Sequence, residues 1–248
     1  MPQKGLVTSR VAVERNFAIL PPEGVPESVL PDWFGTAARI HCSPEMGARF
    51  AQYLLELQPG GGTLQHLPDG IESFFYVIEG GVRLKLNGVA HELTRGGFAY
   101  LTPGSNFQIK ADAAARLLWL KKRYVPCATG HAEDVVGNET KIAGEPFMGV
   151  EELLLKKLLP DEVAFDMAMN VFTFPPGFSL PITEVHVMEH GLYMLEGQGV
   201  YYLGDRWREV QAGDFIWMGP FCPQSFYATS SSPARYIYYK NVNRDVEL

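Results

Sequence analysis

Two histidines and a carboxylate fall close together in the second half of the chain, in Glu184-Val185-His186-Val187-Met188-Glu189-His190. Glu184 and His186 are two residues apart, a spacing that on a strand points both side chains to one face. Gln224 follows 34 residues after His190 (224 − 190 = 34), and its amide oxygen is a fourth donor. Two imidazoles, a carboxylate and an amide oxygen make a mixed set suited to a divalent metal. The residues by themselves fit Mn²⁺, Fe²⁺, Ni²⁺ or Zn²⁺, with the oxygen donors favouring a harder ion. Cys222 reads as a small buried thiol rather than a ligand. Glu189, adjacent to His190, should face the opposite way. Lys240 closes the apolar run Arg235 to Tyr239, where a buried ammonium is costly unless it meets an anion. It is therefore the candidate for an acidic substrate, whereas Arg235 reads as one half of a surface salt bridge.

The elements that would position these groups occur twice. Tyr76-Val77-Ile78-Glu79-Gly80 matches Tyr193-Met194-Leu195-Glu196-Gly197 at an offset of 117 (193 − 76 = 117). Phe50 to Gly60 resembles Phe165 to Gly177, and Gly97 to Pro103 resembles Gly213 to Pro220. Each copy ends in an apolar run beside an arginine, at Arg116 and at Arg235. A repeat this long is a duplicated domain rather than a solenoid. Within the copies, Val82-Arg83-Leu84-Lys85-Leu86 alternates as a half-buried strand does. Asn87-Gly88 is a tight-hairpin signal, and Gly204-Asp205 takes its place in the second copy. Many short strands broken by Gly and Pro predict antiparallel sandwiches or jelly rolls. The boundary is placed in the polar stretch from Asp134 to Pro146, giving domains 1–135 and 136–248. Glu151 to Leu159 is read as extended rather than helical, and the proline-bearing first 35 or so residues as an arm over the surface or a partner subunit.

The chain has 248 residues, 46% of them hydrophobic, with 25 glycines, 18 prolines and a formal net charge of −7. No basic surplus exists to neutralise a nucleic-acid backbone, so nucleic acid is excluded as a partner. Lys121-Lys122-Arg123 and Lys156-Lys157 are short charge runs and read as solvated faces. Three widely spaced cysteines form no disulfide or zinc framework. With no signal-like or membrane-spanning stretch, the expectation is a cytoplasmic protein without a membrane partner.

These landmarks resemble the cupin superfamily, and the duplication makes a bicupin: all-β, two tandem antiparallel jelly-roll barrels. The second copy carries the first cupin motif with Glu184 in place of its first histidine and His190 in place of its glutamate. Gln224 stands in the second motif's ligand slot, four residues after Pro220. This variant set, together with Leu195-Glu196-Gly197-Gln198-Gly199, Gln211-Ala212-Gly213-Asp214, Ile216-Trp217-Met218 and Lys240-Asn241-Val242-Asn243-Arg244, resembles the (S)-ureidoglycine aminohydrolase family. Of these, Val242 and Asn243 lie outside the residues described below. The resemblance implies a manganese bicupin that releases ammonia from (S)-ureidoglycine and leaves (S)-ureidoglycolate in purine breakdown. It implies that Glu184, His186, His190 and Gln224 hold Mn²⁺, that Tyr201, Tyr236 and Lys240 surround the substrate, and that Glu184 and Lys240 are catalytic. The first copy, with Ser73 and Phe107 at the places of His190 and Gln224, is expected to be metal-free. A homo-oligomer is expected. The rival readings are an Fe²⁺ or Ni²⁺ dioxygenase, a metal-dependent sugar-acid or keto-acid isomerase, and a non-enzymatic storage or sensor bicupin.

Overall fold

The computed structural model describes residues 9–128, 130–241 and 244. Among them the chain is built of strands joined by turns and three-residue 3₁₀ segments, with no α-helix. Among the described residues no helix is long and apolar enough to cross a membrane. They form two compact units, neither contiguous: one gathers those within 26–143 and 158–166, the other residues 9–25 together with 144–157 and 167–241.

In the N-terminal unit, the 17-residue strand Phe50–His66 serves two parts of one sheet. Its first half pairs with Ala115–Arg123 and its second half with Asn106–Lys110. The bend between them falls at Gly60-Gly61-Gly62, where a side chain at Gly62 would place its Cβ 1.9 Å from the Ile109 carbonyl oxygen. Only glycine allows that approach. The predicted hairpin forms: Gly81–Leu86 pairs with Val89–Thr94, with Asn87 and Gly88 both at positive φ (47° and 90°). Trp33, Trp119, Phe75 and Phe107 fill the interior with aromatic contacts, each such burial contributing on the order of 1.5–3 kcal/mol.

One expectation fails here. Lys122 is not on a solvated face: it is buried, donating to Glu72 at 2.9 Å and to Asp166 at 2.7 Å. Tyr100 donates to the same Glu72 at 2.5 Å. Burial, reinforced by Asp166, pushes the Glu72 carboxyl up to about 8. His41, next to last in the strand Trp33–Cys42, is also buried, and burial lowers its pKa to about 3.

The C-terminal unit packs an eight-stranded sheet with a three-stranded one around a second apolar core. Glu151 to Lys157 is extended as predicted, within the strand Val150–Lys157. The division between units differs from 135/136. Val135–Asn138 still pairs with Gly97–Leu101 of the first unit, and the change falls after residue 143. The proline-bearing arm also resolves differently. Ala12–Val13 and Phe17–Leu20 are strands of the C-terminal unit, and Phe17–Leu20 pairs with Phe215–Met218. Arg10 anchors this segment by ion-pairing with the buried Asp214.

Candidate active site

The strand Ala168–Phe174 ends at Pro175-Pro176-Gly177, where proline removes two donors and Gly177 turns at φ 80°. The following segment is not the regular strand that the Glu184–His186 spacing suggested. It is an irregular stretch held to Gln224–Ala228 by isolated bridges at Ser179–Tyr227 and Glu184–Gln224. The second bridge is a reciprocal backbone pair, Glu184 N–H to Gln224 oxygen at 2.8 Å and Gln224 N–H to Glu184 oxygen at 3.0 Å. It sets two of the four expected ligands side by side. His186 follows in the loop, and His190 opens the strand His190–Glu196.

All four residues line one cavity of about 80 Å³, with Tyr201, Tyr236 and Lys240. At about 10–15 Å³ per water-sized group, it has room for an ion and a few heavy atoms. His186 and His190 meet Nε2 to Nε2 at 3.2 Å, and the Gln224 amide lies 3.1 Å from His186 Nε2. His190 Nδ1 faces the Tyr239 carbonyl at 3.1 Å and His186 Nδ1 faces the Met188 carbonyl at 3.2 Å. Carbonyls only accept, so each Nδ1 carries the proton and each Nε2 presents a lone pair, that of His186 accepting from the Gln224 amide nitrogen. Burial keeps both rings neutral, lowering His186 and taking His190 to about 3. Two acceptors aimed at each other need an electrophile between them. A separation near 3 Å suits adjacent sites on an ion with metal–nitrogen bonds of about 2.0–2.1 Å. The donor set therefore fits a divalent metal. Among the described residues no group of three His, Cys, Asp or Glu side chains clusters as a metal site, so the two imidazoles would be completed by Gln224, through its amide oxygen, and by Glu184, which lines the same cavity.

The remaining walls are phenolic, basic and apolar. The Glu184 carboxylate is close enough to raise the phenol pKa values of Tyr201, Tyr236 and Tyr238, each already pushed up by burial. Tyr236 hydrogen-bonds Tyr201. Lys240 is half-buried, and among the described residues its ammonium has no ion-pair partner. Tyr238 was not singled out from sequence, yet it lines the cavity and packs edge-on against His190 at 5.4 Å. Its signal was available: Tyr236, Tyr238 and Lys240 alternate along the strand Ala234–Lys240 and share its inner face. Phe147, Phe172, Leu192 and Met218 supply an apolar floor. Cys222 lies in the core with its thiol pKa raised by burial, outside the cavity lining. Arg235 pairs with Glu196 at 2.9 Å. Glu189 is buried, taking a long bond from Trp217 Nε1 at 3.5 Å while its backbone N–H donates to Asn241.

Two jelly-roll units, one with an inward-facing imidazole pair, define a cupin. The Cupin domain family model matches residues 53–121 and 170–239. The chain is 39% identical to the (S)-ureidoglycine aminohydrolase of Escherichia coli (strain K12), over 99% of this chain and 96% of that one. It is 37% identical to the (S)-ureidoglycine aminohydrolase of Arabidopsis thaliana, over 96% and 79%. The crystal structure of protein Ylba from E. coli superposes with a TM-score of 0.88 at 37% identity, covering 98% of both chains. The chain belongs to the (S)-ureidoglycine aminohydrolase family of bicupins.

Proposed function

We propose that the C-terminal cavity hydrolyses (S)-ureidoglycine, releasing ammonia and leaving (S)-ureidoglycolate, with Glu184, His186, His190 and Gln224 holding Mn²⁺. The observation that carries this reading is the pair of facing Nε2 lone pairs beside a lysine that has no ion-pair partner among the described residues. Bound there, the metal supplies Lewis acidity. Lys240 takes the substrate carboxylate, the one group of the substrate that matches an unpaired ammonium. The hydrogen-bonded phenols of Tyr201 and Tyr236 hold the ureido end, which offers both donors and an acceptor. Both phenols stay protonated at neutral pH, so they donate as well as accept. Glu184, half-exposed at the cavity wall, receives the proton of the water that displaces the amine and passes it to the departing nitrogen, which leaves as ammonia. The apolar floor keeps bulk water from the reacting carbon. The substrate is a small molecule, and the working form is read as a cytoplasmic homo-oligomer.

The test is ammonia release from ureidoglycine generated in place from allantoate and its amidohydrolase, comparing metal-stripped and Mn²⁺-loaded protein. Manganese-dependent release faster than spontaneous decay, with the S product, is the expected result. Tight metal binding without acceleration would overturn the substrate and bring oxygen-uptake and isomerase assays forward.

A further inference from the structure

The lysine of the active cavity has a counterpart in the N-terminal unit. His190 stands opposite Lys240 in one strand pair, and Ser73 stands opposite Lys121 in the matching pair. Gln224 faces Glu184 where Phe107 faces Gln65. Three of the four ligand places are thus held by Gln65, Ser73 and Phe107. Phe107 is packed in the core. The Ser73 hydroxyl is engaged within the wall, accepting from Trp119 Nε1 at 2.6 Å and donating to the Leu120 carbonyl at 3.1 Å. The ligands are replaced, and the lysine is kept.

Lys121 borders a solvent-open cleft of about 930 Å³ on the N-terminal unit, a volume typical of organic ligand sites. Its ammonium lies 5.1 Å from the Tyr53 ring centroid and 4.7 Å from that of Trp119. It is half-buried, and burial alone lowers its pKa. Among the described residues it makes no ion pair. Arg49 and Arg123 border the same space, as do the acids Asp32 and Glu45, the latter accepting from Ser43 at 2.5 Å. Two ring faces steady a cation but do not neutralise it. A partly desolvated ammonium opening on a roomy cavity is best met by an anion, and a carboxylate is the chemistry that its counterpart position also suits.

We propose that the N-terminal barrel is a second, metal-independent binding site for a small organic carboxylate, whose anionic end pairs with Lys121 and whose body rests beside Tyr53 and Trp119. This inference stands on Lys121 and its cavity, and not on the reaction assigned to the other unit.

The experiment is calorimetric titration of the full-length, Mn²⁺-loaded Lys240→Met protein with N-carbamoylglycinate. That background weakens carboxylate binding in the C-terminal cavity. About one equivalent per chain should bind. Adding Lys121→Met should weaken that event about tenfold or more, and adding Lys121→Arg should largely keep it, as expected for a charged hydrogen bond. The neutral amide N-carbamoylglycinamide should bind no better to the lysine protein than to Lys121→Met. No binding in the Lys240→Met background, or equal affinity with and without Lys121, would overturn the site. If Lys121→Met unfolds, the arginine variant and the neutral probe still decide. Failure of the ammonia assay would leave this stoichiometry untouched.

Discussion

Lys240 sits within the field of both active-site imidazoles and lowers the pKa of each, after burial. Its charge is costly to the empty pocket and useful only when an anion arrives. Lys240→Met should raise KM by roughly 10–100-fold, the loss of one charge-assisted bond, with Mn²⁺ content unchanged; steady-state kinetics and metal analysis read the two quantities separately. His190→Ala should do the reverse. It removes a buried ligand whose Nδ1 is already fixed by the Tyr239 carbonyl, so bound Mn²⁺ measured by mass spectrometry after desalting should fall well below stoichiometric. At this scale the gathering of Glu184, His186, His190 and Gln224 around one cavity was legible, because their slots follow a spacing pattern. The irregular backbone that delivers Glu184 and His186 was not, since it depends on pairing with Gln224, distant in sequence. Tyr238 was overlooked for a different reason: in a tyrosine-rich strand nothing but its register separates it from a core residue.

Among the elements, the strand Ala115–Arg123 shows how a charge run misleads. Lys121, Lys122 and Arg123 look alike in sequence, but alternation sends Lys122 to a buried face where Glu72 and Asp166 wait. Asp166 is 44 residues away, so no local pattern announces it. Lys122→Met would leave the buried Asp166 carboxylate without its cation, beside Glu72, and should destabilise the protein by about 3–5 kcal/mol, seen as a lower midpoint in urea. The bend in Phe50–His66 makes an equally sharp case. Gly62→Ala drives a Cβ into a backbone oxygen that has no rotamer to yield, and a loss of about 2 kcal/mol or more is expected. The hairpin at Asn87-Gly88 was legible for the opposite reason, because its geometry is set by two adjacent residues.

For the molecule as a whole, Glu72 couples stability to pH. Its carboxyl holds a proton up to about pH 8 when folded, against an ordinary value of 4.5. Between those limits the folded chain binds more protons than the unfolded one. Stability therefore falls as pH rises through this window, by at most roughly 1.4 kcal/mol per unit for a single group, and levels off above it. Melting temperatures from pH 5.5 to 8.5 should show the decline, and Glu72→Gln should flatten it. The duplication and its all-β character were plain from the 117-residue offset. The exchange of segments between the units was not, because strand partners far apart leave no mark on composition.

That exchange bears on how the protein is made. Ala18 pairs with Trp217, a contact spanning 199 positions (217 − 18 = 199). The segment is synthesised well before the strand that it joins. Until Phe215–Met218 has been made, its apolar residues Phe17, Ala18 and Ile19 lack that partner. A chain stalled before residue 215 would carry this unfinished edge in the open, where a chaperone or a protease could meet it. The interlaced order thus ties the two halves to one synthesis, and neither half made alone contains all of its own strands.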